Sequence, residues 1–562
     1  MTTNEPVDDF IIIGIDFGTT YSGVAWAYSR EPEEIELVTS WESEFNNCSD
    51  VDKAPTQLLY DDKKGTSWGY SIPASEDALK WFKLLLLDSD DVPIMVSKSS
   101  QMRCAQKLLD KMKKDPVEVI ACYLRKIWNH AIDSIQRAVG AELLQKSPFH
   151  VVITLPAIWP PYAQQRMKQA AKTSGILDAR SCGETKLRFI SEPEAAALAT
   201  IKDLSKRSTM KIGDTMVICD AGGGTVDLIS YQIESTSPFV VKECVKGDGG
   251  LCGGVFLDEQ FLELIKRKLT PGSWDSVTSA EEKKFLNECW EHGIKSQFSN
   301  QNRDWVVDLP DSCNATSSSG KLKRRKTLEL SSSDILSAYT PIVDRIEGLV
   351  RRQAQAVMSK LGKPAKYIIL VGGFGRSSYL YSKLRSAFFE STVLQSRGNK
   401  PWSAICRGAV VHGITNHGLS ATLGVTVGVR VARNSYGVKF MTEFDPQKHR
   451  QSDKYWSEDH QEWYSTNQMK WFLREGDNML IKKPVRHHYR RLYSQRIGHV
   501  STTIYICSEF PPPSLPDRPW RNYVYHELRY EVEMTCEDGT VDFTLYHEGK
   551  RVGAHNVDVQ FR

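Results

Sequence analysis

Along most of the chain, short β-branched runs alternate with longer segments in which apolar residues recur every three or four positions. Residues 10–15 form such a run, of the length of a buried strand, and it opens directly into Asp16-Phe17-Gly18-Thr19-Thr20-Tyr21-Ser22-Gly23. A strand is thus followed by a glycine turn. The pattern returns at 216–219, which leads into Asp220-Ala221-Gly222-Gly223-Gly224-Thr225-Val226-Asp227, with 204 residues between the two first aspartates. Each turn is followed by an alternating segment, 23–28 and 226–233, that reads as the second arm of a hairpin. One device used twice predicts an internal duplication.

A third glycine turn, Gly372-Gly373-Phe374-Gly375-Arg376-Ser377-Ser378, follows a predicted strand at Tyr367–Val371 and leads into a predicted helix at 379–389. Further helices are expected at 115–138, Pro161–Thr173, 192–202, 258–269, 280–298 and 333–361. Strands alternating with helices of this length imply an α/β architecture. Beyond about residue 418 the period changes. Segments 425–431, 502–507, 528–535 and 541–546 are alternating or β-branched, with a Pro-rich loop at 511–519, so the last 140 or so residues read as a separate, mostly β domain.

Composition narrows the class. Lys+Arg 72 against Asp+Glu 69 leaves a formal charge of +3, which gives no support to a polyelectrolyte binder of nucleic acid or membrane surface. Apolar residues are 41%, and about 48% once the 37 glycines are added, which is the composition of a globular protein and not of a disordered or fibrous one. A length of 562 allows about four domain-sized units. No apolar run approaches the ~18 residues of a membrane span, and the acidic start lacks the basic flank of a secretory leader. A cytoplasmic address is expected, with the nucleus open. The twelve cysteines form no C-x-x-C pair, and Cys122 and Cys219 lie in apolar runs, so reduced thiols are expected in place of a disulfide frame or a zinc site. The basic run 321–326 reads as a solvated hairpin tip sooner than a localisation signal.

The chemistry lies in the turns. Glycine after a strand lets backbone amides approach a phosphate with no Cβ in the way. Two such loops facing each other would hold a polyphosphate from both sides. Asp16, Asp220 and Asp227 cannot contact phosphate directly, since both are anionic, but can do so through Mg²⁺ and its water shell. Thr19, Thr20 and Thr225 offer hydroxyls to phosphate oxygens or to an attacking water. Neither G-x-x-x-x-G-K-[ST] nor G-x-G-x-x-G occurs, which sets aside the P-loop and dinucleotide folds. One glycine turn alone is ordinarily structural; two Asp-containing turns in duplicated context, with a third Gly-Gly turn, are not.

These two loops resemble the phosphate motifs of the heat-shock protein 70 (DnaK-like) family, within the actin and sugar-kinase superfamily. Val151-Val152-Ile153-Thr154-Leu155-Pro156-Ala157 and Ile190-Ser191-Glu192-Pro193-Glu194-Ala195-Ala196-Ala197-Leu198 are similar to its first connecting segment, Ile369-Leu370-Val371-Gly372-Gly373-Phe374-Gly375-Arg376 to its adenosine motif, and Gly408-Ala409-Val410-Val411 to its final helix. The resemblance runs in order over residues 9–418. It implies a duplicated actin-like (ribonuclease H-like) ATPase domain of two lobes, 9–212 and 213–395, closed by a helix at 400–418. ATP or ADP would bind between the lobes on Gly18, Thr19, Thr20, Tyr21, Gly222, Gly223, Gly224 and Thr225. Mg²⁺ or its waters would be held by Asp16, Glu192, Asp220 and Asp227, with Thr225 on the γ-phosphate and Asp220 or Asp227 orienting the water. The family's phosphate-facing lysine maps to Lys83, with Lys80 as its rival and a solvated helix lysine as the plainer reading. Adenine and ribose contacts would come from Glu291, Lys295, Gly372, Gly373 and Arg376; for Glu291 and Lys295 a surface ion pair is the competing reading.

The sequence also departs from that pattern. Trp402 stands where the family has an aspartate, and its E-x-x-K-R is reduced to Glu291-His292-Gly293-Ile294-Lys295. No strongly apolar linker is visible near 419–431. Residues 419–562 loosely resemble the β half of the family's peptide-binding domain, and ending at Arg562 leaves no expected helical lid or acidic tail. That combination resembles the divergent, lidless branch of fungi and of the heat shock 70 family member 12 type. Aromatic residues at 456–530 would be core or would line a peptide groove. The expectation is an ATP-binding, slowly hydrolysing chaperone-like protein with client polypeptides and cochaperones as partners. The alternative is a nucleotide-dependent interaction scaffold with little turnover; a small-molecule kinase is disfavoured for want of a sugar motif.

Overall fold

The computed structural model describes residues 9–43, 50–61, 65–73, 76–92, 94–97, 99–157, 159–205, 210–314, 326–395, 398, 400–417, 425–458, 461–480, 485–493, 504–507, 526–537, 540–547, 550–554 and 559–561. Two compact units result: residues 1–240 with 247–426, and residues 241–246 with 427–562.

In the first unit, β1 (Ile11–Asp16) and β2 (Tyr21–Tyr28) form the hairpin that the first glycine turn predicts, with Asp16 opposite Gly23. The short β3 (Glu36–Leu37) extends it along β2. Helix α1 (Pro116–Val139) starts where Asp115 caps the Val117 amide and Pro116 occupies the first turn. Its apolar face, from Val119 through Tyr123, Leu124, Ile127 and Ala131 to Ile135, is buried at helical spacing. The wholly buried β4 (Phe149–Leu155) and then β5 (Lys186–Ser191) add in parallel, giving the order β3-β2-β1-β4-β5. Helix α2 (Glu192–Ser205) follows at once.

The same wiring then recurs. β6 (Thr215–Ala221) and β7 (Val226–Thr236) form a hairpin with Asp220 opposite Asp227. After α3 (Gly254–Lys268) and α4 (Ser332–Leu361), β8 (Tyr367–Val371) and β9 (Thr392–Gln395) add in parallel beside β6, in the order β9-β8-β6-β7. Helix α5 (Lys400–Asn416) is the counterpart of α2. The backbones of α2 and α5 cross in contact, because a Cβ on Gly408 would overlap the Ala195 carbonyl. α5 also seals the first sheet through Cys406, Val410 and Ile414, which pack on Phe10, Ile12, Ala25 and Ala27. The duplication read from two aspartate turns is therefore one of topology.

Two helices differ from the sequence expectation. The one expected at 258–269 begins a turn earlier, at Gly254. The one expected at 280–298 is α-helical over Ser279–Phe285 and Lys295–Gln297 but π-helical over Leu286–Ile294. The wide turn has a visible cause. Trp290 and Lys295, five residues apart, both bond Asp258 Oδ1, at 2.7 and 2.8 Å. In an α-helix such residues point about 140° apart; the wider π turn brings them to one face.

In the second unit, one sheet orders Lys454–Ser457, Glu462–Leu473, Ser435–Glu443, Ile504–Cys507 and Val559–Phe561, and another orders Val485–Tyr493, His526–Glu537, Thr540–His547 and Lys550–Ala554. Trp456 and Trp463 pair across strands, exposed, while Phe472 is buried. The 511–519 loop, the 419–424 stretch, and 321–325 of the basic run lie outside the described residues. The ten cysteines whose side chains are described are free thiols, with Cys219 buried and Cys122 half-buried. Among the described residues, no helix is long and apolar enough to cross a membrane.

Candidate functional site

The hairpin turns of the two sheets meet. A Cβ on Gly223 would overlap the Thr20 side chain, and one on Gly224 would stand 3.3 Å from Thr19 Cβ. The loops thus approach to a distance that only glycine allows on one side. The second loop is braced from behind by the start of α3: Gly253 N–H donates to Gly224 O, Gly254 N–H to Gly222 O and Val255 N–H to Gly223 O, at 2.9 to 3.1 Å. Sequence reading missed this brace, although Gly249-Gly250-Leu251-Cys252-Gly253-Gly254 ahead of a helix was its signal. Between the loops lies a cavity of about 1440 Å³, lined by Gly18, Thr19, Thr20, Tyr21, Gly222, Gly223, Gly224, Thr225, Glu291, Lys295, Gly372, Gly373 and Arg376.

Its floor is a cluster of buried charge. Asp16, Glu192, Asp220 and Asp227 are at most 6% exposed, and so are Lys53 and Lys83. Lys53 pairs with Asp16, and Lys83 with Glu192 Oε1 at 2.5 Å. Four carboxylates against two ammoniums leave a deficit of two positive charges. The titration behaviour follows from that excess. Burial, with Glu192, Asp227 and Asp16 nearby, pushes the Asp220 carboxyl well above the ordinary range. Burial and then Glu192 push Asp227 up to about 7, against the Thr225 hydroxyl, Lys83 and the Ala157 backbone, which draw it down. Glu192 is raised by burial, with Lys83 opposing. For Lys53, burial acts to lower the pKa but Asp16 and its neighbours outweigh it and the net shift is upward. Asp220 Oδ1 and both Asp227 oxygens have no hydrogen bond of good geometry among the described residues. Orphaned anionic oxygens with a two-charge deficit fit a hydrated divalent cation. Among the described residues, no three His, Cys, Asp or Glu side chains stand close enough to chelate a bare ion.

The rest of the predicted set sorts as follows. Lys83 is buried, which removes the reading of a solvated lysine; its ammonium lies 5.3 Å from the Trp159 ring centre and 5.7 Å from that of Phe17. Lys83 and Asp227 do not line the cavity, whereas Lys80 does, from an exposed position. Lys53 is absent from the predicted set, and nothing local in Asp52-Lys53-Ala54-Pro55 marks it.

On the opposite side, Lys295 bonds Glu291 Oε2 at 2.6 Å as well as Asp258. It is more than a surface pair: burial raises Asp258 to about 6 against the pull of Lys295. Gly372 takes a φ of +85°, and a Cβ there would overlap Asp220 Oδ1 and the Ala221 carbonyl. A Cβ on Gly373 would lie 3.6 Å from the Trp402 indole, Tyr21 meets that indole edge-on at 5.5 Å, and Arg376 lies 5.9 Å from its centre. Asp258, Trp290 and Trp402 thus join the cavity wall beside the predicted residues.

Comparison with known proteins gives a consistent placement. The family model described as Hsp70 protein matches residues 86–468. The chain is 24% identical over 571 residues to human heat shock 70 kDa protein 12B, covering 85% of this chain and 78% of that one. It is also 24% identical to human heat shock 70 kDa protein 12A, covering 78% and 73% respectively. The mitochondrial-type heat shock protein 70 of Encephalitozoon hellem is 27% identical over 410 residues, 72% of this chain and 62% of its own length.

Proposed function

This chain belongs to the Hsp70 family and is of the member 12 type, and from that premise we propose that it binds Mg²⁺·ATP in the cavity and hydrolyses it slowly. The observation that carries this reading is the pairing of two glycine loops over a carboxylate floor short of two positive charges. Bound Mg²⁺ would supply that charge and polarise the phosphate. Glu192, Asp16, Asp220 and Asp227 would hold its waters. Gly222, Gly223 and Gly224 line the cavity and would offer backbone amides to a phosphate, and Thr225 beside them would offer its hydroxyl. Asp220 or Asp227 would orient the attacking water and take its proton once ionised. Lys83 fixes Glu192 and opposes the upward shift that burial imposes on it.

In this reading, residues 9–418 are the nucleotide-binding part, with lobes at 9–212 and 213–395, and residues 419–562 are a β-rich part for client polypeptides in a cytoplasmic chaperone-like protein. Cochaperones would act on the nucleotide cycle. The raised carboxyls also favour a second reading. Burial and the neighbouring carboxylates make Asp220 harder to ionise and so less ready to accept a proton, and ATP would then be bound and not turned over, as in a nucleotide-dependent scaffold. Single-turnover hydrolysis of labelled ATP by wild type and Asp220→Ala separates the two. Release of phosphate by wild type alone supports the enzyme; bound ATP left intact by wild type leaves the scaffold.

A further inference from the structure

Lys53 is held with unusual care for a residue outside any motif. The adjoining Ala54 and Pro55 pair with Ser22 and Tyr21 of β2. Thr56 N–H donates to Thr20 O at 2.8 Å, the Thr56 and Ser22 hydroxyls bond each other at 2.8 Å, and Tyr70 donates its hydroxyl to Lys53 O at 3.2 Å. The segment is thereby tied along the first glycine loop. Its side chain then crosses the hairpin at Gly23, where a Cβ would stand 2.8 Å from Lys53 Cγ. Gly23 is the residue opposite Asp16 in register, so the missing side chain is what opens the path from Lys53 to that carboxylate.

An ammonium has three N–H donors. Asp16 Oδ2 takes one, and among the described residues the other two have no partner. Lys53 lines the cavity together with Asp16, Thr19, Thr20, Gly223 and Gly224. A buried ion pair gives the fold little that two apolar side chains would not. An ammonium with spare donors, facing the gap between two glycine loops, is suited to an anion.

We infer that Lys53 is a phosphate-binding cation of this site, acting from the first loop's side while Lys83 remains paired with Glu192 behind the floor. Asp16 holds the ammonium charged and positioned, and its free N–H groups bond the outer phosphate oxygens of the nucleotide. This assignment rests on the nucleotide reading above and adds a residue to it.

The test is equilibrium binding of AMP, ADP and ATP, each with Mg²⁺, to the full chain as wild type, Lys53→Met, Lys53→Arg and Gly23→Ala, with thermal unfolding of each variant as the folding check. Lys53→Met should weaken ATP and ADP at least tenfold, the loss of one charge-assisted hydrogen bond, and AMP less than twofold. Lys53→Arg should recover part of the loss, and Gly23→Ala, which moves the lysine stem without removing charge, should reproduce the dependence on phosphate number. Should Lys53→Met not fold, the Gly23→Ala series decides alone. Unchanged ATP affinity, or an equal loss for all three nucleotides, overturns the role of Lys53 while leaving the nucleotide site standing. Wild type that binds none of the three overturns both.

Discussion

Replacing Asp227 with asparagine should stabilise the unliganded protein while removing what its charge contributes to Mg²⁺ binding. Asp227 is fully buried, and its folded-state pKa is up to about 7 against an ordinary 3.8. The folded protein therefore holds the proton more tightly than the unfolded chain does. Stability is highest below about pH 4 for this group and is lost as pH rises through about 7. A shift of about three units at 1.36 kcal/mol each bounds the loss at about 4 kcal/mol. Since Glu192 contributes to that shift and titrates with it, a working figure for Asp227 alone is about 2 kcal/mol. With an unfolding entropy of about 2.1 cal/mol/K per residue over a unit of about 420 residues, that is a rise of about 2 °C in melting temperature at pH 8. The assay is thermal unfolding of wild type and Asp227→Asn between pH 4.5 and 8.5, with and without Mg²⁺·ADP. The curves should converge at the acid end and separate towards pH 8, and the nucleotide complex should stabilise wild type more than the variant. Parallel curves across the whole range would refute the charge-excess account of the floor.

Three further outcomes follow from the packing. Gly372→Ala should cost more than about 1 kcal/mol and weaken every nucleotide, because its φ of +85° and the overlap with Asp220 leave no strain-free place for a methyl group; denaturant midpoints and binding isotherms check it. Lys83→Met should cost about 3 to 5 kcal/mol by stranding Glu192, and Lys83→Met with Glu192→Gln should recover most of it, which chemical denaturation of the four proteins measures. Lys295→Met should weaken AMP, ADP and ATP by a common factor of about ten, the opposite signature to Lys53, since it acts through the Asp258–Trp290 wall and not on the phosphates. A loss that grows with phosphate number would contradict it.

Some of this was legible residue by residue. A β-branched run ending in Asp-x-Gly fixes a strand, a turn and a carboxylate at the strand end, since each depends only on neighbours in the chain; thus β1 and β6 fall where the pattern places them, and β8 does so ahead of its Gly-Gly turn. The helices Pro161–Thr173 and Ser332–Leu361 are likewise marked by Pro at the first turn or a Ser331 cap. Lys53 was not legible, because its partner is 37 residues away and the glycine that admits it looks like any strand glycine. The π turn at 286–294 was hidden too, since it exists to bring Trp290 and Lys295 onto an aspartate of another helix.

By itself, then, the sequence determined the duplicated strand-and-turn units, the glycines of those turns and the aspartates beside them, all properties of contiguous residues with their own steric and hydrogen-bonding preferences. Only the tertiary structure decided which cation serves which carboxylate. Lys83 meets Glu192 across 109 residues and Lys53 meets Asp16 across a hairpin, because partners in a buried ion pair are chosen by the geometry of the folded chain and leave no periodic trace along it.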